Sequence, residues 1–360
     1  MSRINDLSII CEDANRDGTF SEGDTVAGFV SFNHSKQTKI KSVSVTLKGH
    51  GQVFWSEGSG DDATSYRASK RYLDVKEYLL VESNFYAGSV LPKGTNQFMF
   101  RLRIPQEDLP SSFKGIHGSI VYKVEAQIRR KWHLDYTVKK EIQFLSRSIR
   151  NTRQVVLPQS NSVTKKIGGF SKGEVQMTAS VNRTVCFPGD RLTAFAKISN
   201  ASYKSMKPKF RLLQRTVYMA QGSKSISDKS LCKIVGDTIK PYTLATVSCT
   251  IDVPPDAIYT LNNCDLVSVE YYLKVYLDIS FAFDPEVQFP LIVAPAVALD
   301  HREDRGPYPG GPAGPPSYSD FSSAAAYPTE FNPVPISTGA YRYPTLQDEP
   351  PLYNSLFPDA

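Results

Sequence analysis

Two stretches of this 360-residue chain, 149 residues apart, alternate apolar and polar side chains in step with each other. In the first, Ile120, Tyr122, Val124, Ala126 and Ile128 are apolar and most residues between them polar; in the second, Val269, Tyr271, Leu273, Val275 and Leu277 fill the same places. A β-strand sends successive side chains to opposite faces, so each stretch reads as a strand with one buried and one wet face. The same offset lays Phe98, Phe100, Leu102, Ile104 and Pro105 on Val247, Cys249, Ile251, Val253 and Pro254. Upstream, Glu22-Gly23-Asp24 followed by Val26, Gly28 and Val30 matches Pro188-Gly189-Asp190 followed by Leu192, Ala194 and Ala196, now at an offset of 166. One β-domain therefore occurs twice. The first copy holds about 17 residues more than the second, and the polar stretch Ser56 to Lys70 is the natural place for them.

Period-two alternation, broken by Gly, Pro and Asn turns, recurs through the first 290 residues, and long helical periodicity is absent. With 41% hydrophobic and 11% aromatic residues, the chain can fill two cores. The expected fold is all-β: two tandem immunoglobulin-like β-sandwiches over residues 1–148 and 170–297. The polar segment 149–169 lacks sustained alternation and reads as a linker. After Pro295 the composition changes, and the last 60 residues hold 12 of the 24 prolines. Such a segment cannot bury enough apolar surface to offset chain entropy, so 298–360 is expected to be a disordered C-terminal tail.

The formal net charge of +6 is unevenly placed: the last 60 residues carry −4 and the first 300 carry +10. A basic body suits phosphorylated partners or anionic membrane surfaces, and spread over two domains it also serves solubility. Arg129-Arg130-Lys131 and Lys165-Lys166 read as solvated strand ends, and no nucleic-acid partner is expected. The five scattered cysteines lack zinc-knuckle spacing and fit reduced thiols of the cytoplasm. The N-terminus lacks the apolar run of a signal peptide, and nowhere are there eighteen consecutive apolar residues. The expectation is a cytoplasmic protein with peripheral membrane association only.

No constellation for catalysis stands out. His117, in Gly115-Ile116-His117-Gly118-Ser119, reads as part of a glycine-lined turn before a strand rather than a nucleophile motif. The other histidines are isolated, no metal-ligand spacing occurs, and Asp61-Asp62 reads as a solvated loop. Trp55 and Trp132 read as core or interface anchors. No enzyme activity, metal or cofactor is expected.

The tail carries Pro315-Pro316-Ser317-Tyr318 and Pro350-Pro351-Leu352-Tyr353, two Pro-Pro-x-Tyr strings. Adjacent prolines pre-set a polyproline II helix of three residues per turn, which puts the first Pro and the Tyr on one edge. A WW domain offers an aromatic groove for the prolines and a pocket for the tyrosine, so the candidate WW-binding residues are Pro315, Pro316, Tyr318, Pro350, Pro351 and Tyr353. Thirty-one residues separate Tyr318 from Pro350. As a flexible chain they span roughly 30 Å, which suits two WW modules bound at once. A third string, Tyr343-Pro344-Thr345-Leu346, matches both the Tyr-Pro-x-Leu ligand of the endosomal adaptor ALIX and the Tyr-x-x-Φ sorting signal, through Tyr343, Pro344 and Leu346. The tail contains no lysine.

The stretch Ser111-Ser112-Phe113-Lys114-Gly115-Ile116-His117-Gly118-Ser119-Ile120-Val121-Tyr122-Lys123-Val124 resembles a signature of the arrestin-domain-containing proteins, the α-arrestins. So do Ser21-Glu22-Gly23-Asp24-Thr25-Val26-Ala27-Gly28, Leu47-Lys48-Gly49-His50-Gly51 and Phe187-Pro188-Gly189-Asp190. The resemblance covers essentially the whole chain. It implies an arrestin fold and adaptor work. The sandwiches would hold membrane receptors or transporters as cargo, and the tail would bring a WW-domain HECT-type ubiquitin ligase. The implied outcome is cargo ubiquitination, endocytosis and endosomal sorting, with recruitment from cytoplasm to plasma membrane and endosomes. The alternative is a retromer-like coat subunit, which shares the fold and has no need of the paired tail motifs.

Overall fold

The structure, a computed structural model, describes residues 4–12, 18–81, 89–147, 157–167 and 173–295. The expected tail, with Pro315, Pro316, Tyr318, Tyr343, Pro344, Leu346, Pro350, Pro351 and Tyr353, lies outside the described residues. Within them the chain is strand and turn, with no α-helix and a single 3₁₀ turn at Gly60–Asp62.

The first sandwich runs β1 (Ile4–Cys11), β2 (Thr19–Phe20), β3 (Thr25–His34), β4 (Thr38–Ile40), β5 (Ser42–Glu57), β6 (Thr64–Val81), β7 (Ser89–Leu91), β8 (Gly94–Arg103), β9 (Phe113–Lys114), β10 (Gly118–Arg129) and β11 (Tyr136–Phe144). One sheet has the order β1-β3-β8 and the other β2-β11-β10-β5-β6, with β9 added on β10 and β4 paired to β7. The second sandwich runs β12 (Gln159–Ile167), β13 (Gly173–Val181), β14 (Val185–Cys186), β15 (Arg191–Ala201), β16 (Met206–Ala220), β17 (Ser223–Val235), β18 (Thr243–Asp252), β19 (Val267–Ile279) and β20 (Glu286–Val293). Its sheets have the orders β12-β13-β15-β18 and β14-β20-β19-β16-β17. Each core is filled by the inward row of its long strands: Val43, Val45, Leu47, Tyr122, Val124 and Ala126 in the first, and Phe210, Leu212, Tyr271, Leu273 and Val275 in the second, all buried.

The duplication holds at the level of single hydrogen bonds. Gly23 N–H donates to Ile104 O and Gly189 N–H to Val253 O, both at 3.1 Å. The Asp24 carboxylate accepts from Ser21 N–H at 2.8 Å, and that of Asp190 accepts from Phe187 N–H at 2.9 Å. Both glycines sit at positive φ, +82° and +85°, where a side chain would strain the turn. The short parallel pairs β2–β11 and β14–β20 are likewise equivalent.

Strand register shows where the first copy is longer. Val124 faces Leu47 and Leu273 faces Leu212, so Leu47 and Leu212 are equivalent at an offset of 165. Their partners on the next strand, Val75 and Cys232, differ by 157, and Leu102 and Ile251, further on, by 149. The extra residues are therefore split about equally between the β5–β6 hairpin and the connection from β6 to β8, whereas a single insertion within Ser56 to Lys70 was expected. The shorter β16–β17 hairpin closes on Gln221-Gly222, both at positive φ, as a two-residue turn requires.

One further expectation needs correction, and another is narrowed. Within the expected linker 149–169, Gln159–Ile167 forms β12 and pairs with β13 along its whole length. An edge strand is held by its ladder of backbone bonds and needs few apolar side chains. Here Ile167 alone is buried, and so no alternation marks the strand. Trp55 is a core anchor as expected, 3% exposed and stacked on Tyr66 at 5.1 Å. Trp132, at the tip of the β10–β11 hairpin, is 90% exposed and anchors no core.

Candidate functional site: the junction between the sandwiches

The glycine-lined turn between β9 and β10 is a socket for a side chain of the other sandwich. Gly115 N–H donates to Gly118 O at 2.9 Å, which folds the turn tightly. The turn closes on Tyr218 of β16: Ile116 N–H donates to its hydroxyl at 3.1 Å, and the His117 ring meets it edge-on at 5.3 Å. A Cβ at Gly115 would lie 2.3 Å from the Tyr218 hydroxyl oxygen, and one at Gly118 would lie 2.6 Å from Val53 Cγ1. Both glycines are thus required by close approach. Tyr218 is 2% exposed, and its burial raises the hydroxyl pKa above the usual tyrosine value. His117 is engaged in packing at this junction.

A second set of contacts gathers around Asn263, Cys264 and Asp265. Asn263 Nδ2 donates to Asp108 Oδ1 at 2.8 Å and to Leu109 O at 3.0 Å, and reaches Ser146 Oγ at 3.4 Å. Ser146 Oγ donates to Glu22 Oε1 at 2.6 Å, and Glu22 Oε2 accepts from Arg147 N–H at 2.8 Å. Arg147 in turn pairs with Asp24 at 2.7 Å. Buried Glu22 is therefore compensated, as a buried carboxylate must be. Nearby, Tyr72 Oη donates to Asp265 Oδ1 at 3.1 Å and lies 3.1 Å from Cys264 Sγ, while Lys70 Nζ pairs with Asp265 Oδ2 at 2.7 Å. The Lys70 hydrogen bond holds the Asp265 carboxyl below its usual pKa, and burial raises that of Tyr72. Gly51 sits beneath this contact, since a Cβ there would lie 2.7 Å from Tyr72 Cε2 and 3.1 Å from Leu266 Cδ1.

Between these contacts lies a cleft of about 360 Å³. Ser112, Lys114 and Glu141 line it from the first sandwich, and Pro188, Asp256 and Tyr259 from the second. Lys114 and Glu141 form an ion pair at 2.6 Å. All four sequence signatures thus serve the junction or the cores beside it. Tyr218, Asn263 and Tyr72, which complete it, carry no sequence signal beyond being polar residues in β-rich surroundings.

The arrangement fixes the surfaces of the two sandwiches against each other through packing and hydrogen bonds. Among the described residues no group of three His, Cys, Asp or Glu side chains is placed to hold a metal ion. Burial pushes the Cys186 thiol up to about 12 and the Cys249 thiol up to about 11, so both stay protonated and weakly nucleophilic at neutral pH. The candidate ligase-binding and sorting residues of 315–353 lie outside the described residues.

Comparison with known proteins agrees with the two-sandwich fold. The arrestin (or S-antigen) N-terminal domain family matches residues 9–151, and the arrestin (or S-antigen) C-terminal domain family matches residues 171–296. Human arrestin domain-containing protein 4 is 27% identical over 357 residues, covering 92% of this chain and 85% of that protein. Its mouse counterpart is 25% identical over 358 residues, covering 92% and 86%. Mouse thioredoxin-interacting protein is 24% identical over 307 residues, covering 83% and 76%. With both domain families matched in order across the two sandwiches, the chain belongs to the arrestin family, among the arrestin-domain-containing α-arrestins.

Proposed function

We propose that this arrestin-family adaptor, a trafficking protein and not an enzyme, links membrane-protein cargo to a WW-domain HECT-type ubiquitin ligase. The observation that carries the reading is the pair of Pro-Pro-x-Tyr motifs, at Pro315-Pro316-Ser317-Tyr318 and Pro350-Pro351-Leu352-Tyr353, on one chain behind an arrestin body. Polyproline II segments are pre-formed, so docking them costs little ordering entropy. Two such sites on one linker raise avidity by roughly 10² to 10⁴ over either alone when both engage. The lysine-free tail turns ubiquitin transfer toward the cargo or toward lysines of the sandwiches. The expected result is ubiquitination, internalisation and endosomal sorting of cargo at the plasma membrane and endosomes. Tyr343, Pro344 and Leu346 supply an added contact to an ALIX-like adaptor.

The test measures binding of the full-length protein to a tandem WW fragment of a HECT ligase, by titration calorimetry. Tyr318→Ala and Tyr353→Ala are each expected to weaken binding, and the double change to abolish it. A double variant that binds as well as wild type refutes the proposal.

A further inference from the structure

The walls of the cleft between the sandwiches are two copies of one motif. On the first wall Ser112 N–H donates to Phe144 O at 2.9 Å, and Ser112 Oγ accepts from Phe144 N–H at 3.0 Å. On the second, Thr260 N–H donates to Val293 O and Thr260 Oγ1 accepts from Val293 N–H, both at 2.9 Å. Next to them Phe113 pairs with Ile120 and Leu261 with Val269, at the same places in the two copies. Each wall is thus tied by reciprocal bonds to the last strand of its own sandwich. A ligand entering the cleft has no loop to order, and a pre-formed site keeps more of the contact energy.

What the copies do not share decides what the cleft can hold. Its lining carries three charged side chains, Lys114, Glu141 and Asp256. Lys114 and Glu141 neutralise each other at 2.6 Å, and exposed Asp256 has no ion-pair partner among the described residues. The cleft is therefore an acidic spot on a body that carries +10 over its first 300 residues. The same wall as Asp256 presents Pro188, Pro255, Ile258 and the Tyr259 ring, all at least partly exposed. Gln143 lines the opposite wall, and neither its amide nor the Tyr259 hydroxyl has a hydrogen-bond partner among the described residues. Both are left to meet the backbone of a ligand. A volume of about 360 Å³ takes a few side chains and suits an extended chain better than a helix about 10 Å across. Rigid prolines and a tyrosine ring form the kind of groove that receives proline and aliphatic side chains of extended peptides, and the lone carboxylate selects a cation beside them. We propose that the cleft is a peptide-binding site for an extended segment with an arginine or lysine next to proline or aliphatic residues. The cytoplasmic flanks of membrane spans have this chemistry, with an excess of Lys and Arg beside apolar residues. The inference rests on the reading of this protein as an adaptor for membrane-protein cargo and names the kind of segment it would hold.

The test is fluorescence anisotropy with the full-length protein and the fluorescein-labelled peptide Gly-Leu-Pro-Arg-Leu-Arg-Gly. Saturable binding is expected. A peptide with glutamate for both arginines, and one with serine for the proline and leucines, should each bind about ten-fold more weakly or worse. Asp256→Lys should lower affinity for the first peptide about ten-fold, and Tyr259→Ser roughly five-fold. Asp62→Lys makes the same charge reversal in the turn of the β5–β6 hairpin and should leave affinity unchanged. Because Asp256 is exposed, the thermal melt of Asp256→Lys should match wild type, and so should its binding to the tandem WW fragment. Absent binding of the first peptide, equal binding of the glutamate peptide, or an equal loss in Asp62→Lys overturns the proposal. The ligase-recruitment reading falls separately, on the WW titration. An Asp256→Lys protein that gains affinity for the WW fragment also overturns the proposal, because the chain's own tail would then be the occupant. So does a wild-type dimer that Asp256→Lys converts to monomer, which would make the cleft a contact between copies.

Discussion

Tyr122 and Tyr271, 149 residues apart, each bury a ring at the centre of one sandwich and donate the hydroxyl to the backbone of the segment before their own strand: Tyr122 to Pro110 O at 2.7 Å, Tyr271 to Ile258 O at 2.5 Å. In both copies that hydrogen bond ties an irregular segment lining the cleft or lying beside it to the most buried strand. Replacement by Phe keeps the ring and leaves a carbonyl without its donor. Tyr122→Phe and Tyr271→Phe are each expected to cost about 1–2 kcal/mol in urea unfolding. The second should cost more, because the Gln214 amide oxygen, 3.3 Å from the same hydroxyl, also loses a neighbour.

The socket on Tyr218 gives a pairwise test. Gly115→Ala sets a methyl against a hydroxyl, and a misfit of this size costs about 1–3 kcal/mol. Tyr218→Phe removes the nearest atom that the methyl would strike, at 2.3 Å, and also the acceptor of the Ile116 N–H, while the Phe113 ring, 2.5 Å from the methyl position, still crowds it. Each single change should destabilise, and the double variant should be more stable than the two costs summed, by roughly 0.5 kcal/mol or more. Chemical denaturation of the four proteins reads this coupling, and strict additivity would mean that the turn does not clasp Tyr218.

His34 links stability to pH. It is 1% exposed, its ring stands edge-on to Phe32 at 5.2 Å, and neither ring nitrogen has a hydrogen-bond partner among the described residues. Burial, and then the nearby Arg130 charge, lowers its pKa below the ordinary 6.5. The unfolded chain therefore binds the proton first. The stability held above 6.5 is lost as pH falls toward the depressed folded value. The denaturation midpoint of wild type should drop more than that of His34→Phe between about pH 7.5 and pH 5, since Phe keeps the ring and cannot be protonated.

The Lys70–Asp265 pair is exposed on both sides, so its direct value is small. Asp265→Asn is expected to cost under about 1 kcal/mol and to be masked by salt. Because Lys70 holds the Asp265 carboxyl below its usual pKa, the contribution is present above the ordinary carboxylate value and fades as pH falls through the depressed one. The local readout is hydrogen exchange of the Gly51 and Tyr72 amides. Asp265→Asn should speed their exchange at neutral pH, and the difference from wild type should close in acid.

The repeat was legible because the long central strands bury one face completely, so Ile120 to Ile128 and Val269 to Leu277 had to alternate. The signature glycines were visible as a pattern, but their purpose was not. Gly115 is glycine because the Phe113 ring and the hydroxyl of Tyr218, more than a hundred residues away, together occupy the space of its side chain. No local feature of a sequence records such an approach. Strand β12 escaped notice for the converse reason, since a strand paired through its backbone leaves Ser160, Asn161 and Ser162 in water. For Trp132 a core and an interface place were both open, and the hairpin turns it out of the core.

The parallel pairs β2–β11 and β14–β20 set a timetable for synthesis. Thr19-Phe20 cannot take its place until Gln143-Phe144 has left the ribosome, nor Val185-Cys186 until Ile292-Val293 has followed. Each sandwich thus closes only when its final strand emerges, and its early strands must wait with their edges open. The first half can mature while the second is still being made. The interval before the last strand of each half arrives is when the nascent chain most needs a chaperone.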